Sequence, residues 1–244
     1  MNVREYARYE LLRTFRNRRF MVFSLGFPIV LYFAIAGPNR HVHDLGGSGI
    51  SAPVYFMVSL ISFGTMNAVI GAGARISAER AVGWNRQLRL TALSPRAYFR
   101  TKVLTAYLLA LATIVALAIA GTTLGVRLTA GEWAKTVLLI LVGLVPFAAL
   151  GIAIGHVVSS ESIGPALGGT TAAFALLGGV WFPIRSGAMH VVAQALPSFW
   201  LVQAGHVAIG GDAWGGRGWL VVAAWSVGLG VLAARAYRRD TGRV

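Results

Sequence analysis

Long uncharged stretches dominate the chain, and charged residues divide it into seven such runs. The runs lie at residues 20–39, 45–74, 103–126, 136–160, 162–184, 186–211 and 218–234. A helix of about 20 mostly apolar residues crosses a bilayer, so each run is a candidate membrane span. The pattern therefore predicts an all-α integral membrane protein whose charged segments lie outside the bilayer.

The run at 186–211 differs from the others because it is more polar. It contains two histidines, two glutamines and, near its middle, Pro197, which would interrupt a helix. With six spans, 17 Lys and Arg residues lie inside and 5 outside, whereas seven spans give 14 and 8. The positive-inside rule favours six spans. Residues 184–211 are then expected to form an external re-entrant hairpin of two short helices, covered by protein or facing water.

We predict a single transmembrane domain over residues 1–244, with both termini in the cytoplasm. Residues 75–100 form a cytoplasmic loop between spans 2 and 3. Residues 1–19 are expected to form an interfacial helix with a basic face and an apolar stripe of Val3, Ala7, Leu11 and Phe15. The alternative is an arginine cluster that only sets orientation. The six predicted spans are 20–39, 52–74, 103–126, 136–158, 162–182 and 218–234.

Composition supports a membrane protein and excludes other classes. Hydrophobic residues make up 56% of the chain and charged residues 12%, about half of the roughly 25% found in soluble domains. The net charge of +14 suggests nucleic-acid binding, but the arginines flank spans and form no separate domain, so no nucleic acid is expected. The absence of cysteine excludes disulfides and thiolate metal sites.

Two sequence patterns lie between the predicted spans or at their ends. In the first, Ser94 is expected to cap a helix whose first residue is Pro95. This loop reads E-R-x-x-G and then T-x-L-S-P-R-x-Y, formed by Glu79, Arg80 and Gly83 and by Thr91, Leu93, Ser94, Pro95, Arg96 and Tyr98. The second pattern consists of Gly178, Gly179, Phe182 and Pro183, followed by Leu196, Pro197, Phe199 and Trp200.

Together these patterns resemble the permease subunits of ABC transporters of the ABC-2 type, over essentially the whole chain. The resemblance implies a bacterial exporter in the plasma (inner) membrane. It also implies two copies of an ATP-binding subunit, which would bind ATP and Mg, and a second permease copy or a paralogue. No cofactor is expected in this chain, which is not the ATPase because neither lysine follows a glycine as a P-loop requires.

The resemblance also implies that the loop after the second span is a coupling helix, which docks on the ATP-binding subunit. The residues that would make this contact are Glu79, Arg80, Gly83, Trp84, Arg86, Arg89, Thr91, Leu93, Ser94, Pro95, Arg96 and Tyr98. The family often has acidic residues after Arg80, where this chain has Ala81 and Val82.

The predicted spans carry no Asp, Glu, Lys or Arg at depth. Ion-coupled transporters usually place ionisable groups there, so a neutral or amphipathic substrate is favoured, such as a drug, an antibiotic or a lipid-like molecule. For each threonine, a bond to its own helix backbone is the alternative to substrate contact. The candidate pathway residues are Phe63, Asn67, Thr113, Thr170, Thr171, Phe174 and Trp181.

Small residues four apart allow close helix packing, either within the chain or in a dimer. The pairs Gly121/Gly125, Gly151/Gly155 and Gly164/Gly168 fit this spacing.

Two other functions stay open on the sequence. An intramembrane enzyme could use His156, five residues before Glu161, or a metal held by His41 and His43 beside Asp44. The chain has no HExxH and no GxSxG motif, so no catalytic residue and no metal ligand is predicted. A membrane scaffold without transport is the other alternative.

Overall fold

The computed structural model describes residues 3–47, 49–84, 87, 91, 93–184, 186–211 and 213–241, and the regular structure of these residues is entirely helical. A π-helical turn at Val22–Gly26 joins the second helix to the third, and a 3₁₀ turn at Val207–Ile209 follows the eleventh. The all-α prediction is confirmed. The helices are α1 (Val3–Phe15), α2 (Arg18–Met21), α3 (Phe27–Ala36), α4 (Ala52–Ala74), α5 (Ile76–Ala81), α6 (Pro95–Thr123), α7 (Ala130–Gly143), α8 (Val145–Val157), α9 (Ile163–Leu177), α10 (Gly187–Gln194), α11 (Pro197–His206) and α12 (Gly215–Thr241).

Six helical segments are apolar, and they follow the order of the six predicted spans. Four of them are long enough to cross a membrane, namely Ala52–Ala81, Pro95–Thr123, Ala130–Val157 and Gly215–Asp240. The other two, Val22–Ala36 and Ile163–Gly178, are shorter. The chain is therefore a multi-pass membrane protein, whereas the count of six and the orientation of the termini stay predictions.

Local sequence explains where these helices begin and break. Helix α6 begins at Pro95, eight residues before the predicted third span, because Ser94 caps it: the Ser94 hydroxyl accepts a hydrogen bond from the backbone N–H of Ala97 at 3.3 Å. The predicted fourth span contains two helices, α7 and α8, which meet at Leu144. Pro146 follows that break and cannot donate a backbone hydrogen bond to it.

Helix α4 is the centre of the molecule and coincides with the predicted second span. Every residue of α4 is buried except Val54 and Asn67. A helix that is apolar on all sides needs neighbours on all sides, and α4 packs against α3, α6, α8, α9 and α11. The single partly exposed polar residue on this helix, Asn67, marks a gap in that packing.

Glycines let α4 and α8 approach at backbone distance. A Cβ atom on Gly73 would lie 2.5 Å from the carbonyl carbon of Gly151, and one on Gly155 would lie 2.6 Å from the carbonyl oxygen of Gly73. The pair Gly151/Gly155 therefore serves packing within the chain. By contrast, a Cβ atom on Gly164 or Gly168 would meet no described atom within 4 Å.

The segment predicted as a hairpin contains two helices, α10 and α11, and the second begins at Pro197. Tryptophans satisfy the backbone carbonyls left free at the break: the indole N–H groups of Trp200 and Trp225 donate to the oxygens of Gln194 and Ala195, each at 2.9 Å. Nine of the ten residues of α11 are buried, and this helix packs against α4 and α7. Backbone that enters the membrane without crossing it must be covered by protein, and α11 meets this condition. The re-entrant placement itself stays a prediction.

Candidate functional site

A buried ion cluster joins α1, α5 and α6 near the C-terminal end of α4. We define it as Glu10, Arg13, Glu79, Tyr98 and Lys102. The Lys102 ammonium lies 2.7 Å from a Glu10 oxygen and also pairs with Glu79. Arg13 pairs with the same Glu79 oxygen, and the Tyr98 hydroxyl donates to the other one at 2.7 Å. Glu79 thus accepts hydrogen bonds from one side chain on α1 and two on α6, and these bonds fix α5 against both helices.

Burial makes the ion cluster sensitive to the loss of any member. The side chains of Lys102, Glu10 and Glu79 are each 3% exposed or less. Although burial lowers the pKa of Arg13, the carboxylates of Glu79 and Glu10 raise it above its usual value. A buried charge that loses its partner strongly destabilises the folded state. The ion pairs of the cluster therefore hold α1, α5 and α6 together.

The sequence reasoning missed most of this cluster. Of its members, only Glu79 and Tyr98 lie among the predicted site residues. The buried side of α1 is formed by Tyr6, Glu10 and Thr14, whereas Phe15, at the end of the expected apolar stripe, is 42% exposed. One signal was present: Lys102 is one of two lysines in the chain and stands directly before a long apolar run.

A second set of polar contacts attaches the end of α12 to the same region. Arg80 donates to an Asp240 oxygen at 2.9 Å and to the carbonyl oxygen of Gly155 at 3.3 Å. The other Asp240 oxygen lies 3.0 Å from Nδ1 of His156. The histidine considered as a catalytic candidate therefore contributes to a polar network, centred on the Arg80–Asp240 ion pair, that links α5, α8 and α12.

The residues of the predicted coupling loop separate into buried and exposed groups. Glu79 and Tyr98 are buried in the ion cluster, so they position the loop. Ser94, Pro95 and Arg96 are exposed at the start of α6, and Gly83 has a φ of +69° with no described atom within 4 Å of an added Cβ atom. Between these groups, Arg80, Trp84, Thr91 and Leu93 are partly buried. Arg86 and Arg89 lie outside the described residues.

An apolar cavity of about 560 Å³ lies between α4, α9 and the π-helical turn before α3. Four of the seven predicted pathway residues line it, which brings together side chains more than 100 positions apart in the chain. The ring centroids of Phe63 and Trp181 are 5.5 Å apart. None of the described lining residues is charged. They are Phe23, Phe27, Phe63, Asn67, Gly168, Thr171, Ala172, Leu176 and Trp181.

The other three predicted pathway residues do not line this cavity. Thr113 is buried between α6 and α4, and its hydroxyl donates to the Leu109 carbonyl of its own helix at 3.0 Å. Phe174 packs against Phe147 and Trp225, with ring centroids 5.3 Å and 6.2 Å away. Thr170 is partly buried and is absent from the described lining.

The predicted hairpin motif surrounds a second cavity, of about 440 Å³, at the opposite end of α4. Gly178, Gly179, Pro183 and Phe199 line it, whereas Phe182 is 42% exposed and Trp200 is buried beside α12. The Tyr55 hydroxyl donates to the Gly179 carbonyl at 2.9 Å, so the motif is tied to the start of α4.

The metal alternative finds no support in the described geometry. In the part of the chain that the structure describes, no three His, Asp or Glu side chains are grouped closely enough to hold a metal ion. His41 accepts a hydrogen bond from Arg40 at 3.0 Å, and Asp44 accepts one from the backbone of Gly49 at 2.7 Å.

Comparison with known proteins places these features in a family. The sequence profile described as "ABC-2 type transporter" matches residues 2–209. The chain is also 28% identical over 195 residues to a Bacillus subtilis (strain 168) protein named "Putative transport permease YvfS", and the match covers 78% of each chain.

Proposed function

Since the chain belongs to the ABC-2 type transporter family, and is thus a membrane transport permease, we propose that it is the permease subunit of a bacterial ABC exporter. Its substrate is neutral or amphipathic, such as a drug, an antibiotic or a lipid-like molecule. ATP hydrolysis in a separate ATP-binding subunit drives transport. The observation that carries this proposal is the apolar cavity beside α4, whose described lining holds aromatic rings, one amide and one hydroxyl but no charge.

The cavity suits an uncharged passenger for a physical reason. A charged ligand would lose its hydration on entering an apolar site that offers no opposite charge, which costs several kcal/mol. Phe63, Phe27 and Trp181 supply aromatic surface instead, and Asn67 supplies a polar group for orientation. Because Asn67 belongs to the otherwise buried α4, movement of that helix would change the shape of the cavity.

Movement of α4 would come from the coupling loop. Helix α5 follows α4 after a single residue, Arg75, and the ion cluster fixes α5 to α1 and α6. A displacement of the loop by an ATP-binding subunit would therefore shift these helices together and bias two membrane arrangements. Two ATP-binding subunits and a second permease, whether a copy or a paralogue, complete the proposed complex. Helix α9 offers an open glycine face for the second permease.

The proposed membrane arrangement follows the charge distribution. Six spans with both termini in the cytoplasm place the ion cluster and the loop at the cytoplasmic side of the plasma membrane. The cavity lined by Gly178 and Phe199 then lies at the external side.

Cysteine labelling tests the pathway without knowledge of the substrate. The chain contains no natural cysteine, so Asn67→Cys introduces the only thiol. If the cavity is a water-accessible pathway, a charged maleimide should label Asn67→Cys at least about tenfold faster than Val115→Cys, because thiolate forms only where water reaches the sulfur. Val115 is 56% exposed on the apolar outer side of α6 and serves as the lipid-facing control.

The labelling rate of Asn67→Cys should also change when the ATP-binding subunit and ATP are added, because turnover alters the cavity. Equal, slow labelling of both variants in all conditions would contradict a pathway at this cavity.

Charge reversal tests the coupling contact. Replacing Arg86, Arg89 and Arg96 with glutamate is expected to weaken association with the ATP-binding subunit at least about thirtyfold, because buried interfacial charges would lose their partners. Co-purification and titration of the labelled subunit measure this loss. The control reverses three arginines outside the loop, Arg16, Arg235 and Arg239, which are exposed and lie on the same predicted face. If both triple variants bind equally well, the loop is not the coupling contact.

A further inference from the structure

A basic groove lies between the first turns of α1 and the first turns of α6. Its volume is about 520 Å³, and three arginine side chains border it. The described lining contains no acidic residue. The groove is formed by Arg4, Ala7, Ser94, Arg96, Ala97, Arg100, Thr101 and Leu104.

One face of α6 changes from charged to apolar along this groove. Arg96, Arg100 and Leu104 are spaced by four residues, so they share a face and span about 12 Å of the helix axis. The same face continues with Val115 and Ile119, which are 56% and 62% exposed. An apolar stripe of this kind is suited to contact with lipid chains, and it leads directly into the arginines.

Arg96 and Arg100 have a different environment from Lys102, which lies on the opposite side of α6. Lys102 points inward, where Glu10 and Glu79 neutralise it. Arg96 and Arg100 point outward and are exposed. The groove therefore presents concentrated positive charge at the predicted boundary between cytoplasm and bilayer.

We propose that this groove binds a phosphate-bearing anion, supplied by the bilayer as the headgroup of an anionic phospholipid. Guanidinium groups bind phosphate oxygens through paired hydrogen bonds, and basic pockets at the cytoplasmic side of membrane helices hold anionic headgroups. The acyl chains lie along Leu104 and the exposed apolar face beyond it. A bound lipid bridges α1 and α6 beside the ion cluster and so helps to hold the interfacial helix in place.

Lipid titration of the full-length protein in a neutral detergent tests this site. Dioleoylphosphatidylglycerol is added, and bound molecules are counted by native mass spectrometry. The variant Arg4→Gln/Arg100→Gln is expected to bind this lipid about thirtyfold more weakly, from about fivefold for each lost charge. The control Arg8→Gln/Arg16→Gln removes the same charge from exposed positions of the N-terminal segment outside the groove, and it should bind almost as well as the unaltered protein. Arg4→Lys/Arg100→Lys keeps the charge and should restore most of the binding.

Two further arms identify the source of the phosphate. Dioleoylphosphatidylcholine carries a phosphate but no net charge and should bind much more weakly than phosphatidylglycerol. Inorganic phosphate at millimolar concentration should not displace phosphatidylglycerol, because it lacks the acyl chains. Displacement by inorganic phosphate would overturn the lipid assignment.

Other outcomes would overturn the site itself. Equal loss of lipid in the groove and control variants would show diffuse charge attraction. Normal lipid binding by Arg4→Gln/Arg100→Gln, with lost association to the ATP-binding subunit, would show that the groove is a protein contact.

Discussion

Replacing Glu79 with alanine is expected to lower the free energy of unfolding by about 3–5 kcal/mol, the usual cost of removing one partner from a buried ion pair. Glu79 accepts from Lys102, Arg13 and Tyr98, so its loss leaves buried donors without their acceptor. Unfolding of the purified protein in mixed micelles, titrated with sodium dodecyl sulfate, measures this change.

The control for this prediction is Glu161→Ala, which removes an exposed glutamate before α9. Its effect should stay within about 0.5 kcal/mol. Lys102→Met should also be strongly destabilising because it leaves the carboxylates of Glu10 and Glu79 buried without their shared cation. The double variant Glu79→Gln/Lys102→Met should cost less than the sum of its single changes. If Glu79→Ala costs no more than Glu161→Ala, the ion cluster does not hold the helices together.

Replacing Gly151 with alanine is expected to cost about 1–3 kcal/mol, because an added methyl group overfills a backbone-to-backbone contact. The new Cβ atom would lie 2.6 Å from the carbonyl oxygen of Ile70 and 2.9 Å from its Cα atom. Backbone atoms cannot rotate out of the way as a side chain can, so α4 and α8 must separate. The same micelle unfolding titration gives the size of the effect.

Gly169→Ala provides the matched comparison for this contact. Gly169 is exposed on α9, and a Cβ atom there would meet no described atom within 4 Å. Alanine favours a helix over glycine by about 0.5–1 kcal/mol, so this change should be neutral or stabilising. Similar destabilisation by both variants would contradict the close approach of α4 to α8 as the cause, because an added Cβ atom on Gly169 meets no described atom.

The ion cluster and the glycine contact between α4 and α8 together form a route by which a displacement of the proposed coupling loop could reach the apolar cavity. The ion cluster fixes one end of the α4–α5 segment, and the glycine contact fixes α4 against α8. Asn67 and Phe63 lie farther along α4 and line the cavity. Because packed helices tend to move as rigid bodies, a displacement of the proposed coupling loop would be transmitted to the cavity wall.

The sequence by itself determined the helical class, the membrane environment and several element boundaries. The second span was predicted at 52–74, which is where α4 lies. The Ser94 cap and the two helices separated before Pro197 were also predicted correctly. These features depend on local chemistry: apolar run length, the capping hydroxyl and the missing N–H of proline act over a few residues.

The start of the third span shows where run length is insufficient. Charged residues set the start of the predicted span at 103, whereas the helix that contains this span begins eight residues earlier at Pro95, where Ser94 caps it. Within this helix, Lys102 is buried and is neutralised by carboxylates on other helices. Here a carboxylate 92 positions away takes the place of water, and the chain order gives no indication of that pairing.

Only the tertiary structure decided which faces of the helices meet. It showed that α1 turns Tyr6, Glu10 and Thr14 inward, and that Gly151 packs within the chain while Gly164 faces open space. It also brought Phe63 on α4 and Trp181 after α9 to one cavity and placed Thr113 and Phe174 elsewhere. In apolar helices every face looks alike in sequence, so the facing side is set by long-range packing, which local periodicity does not encode.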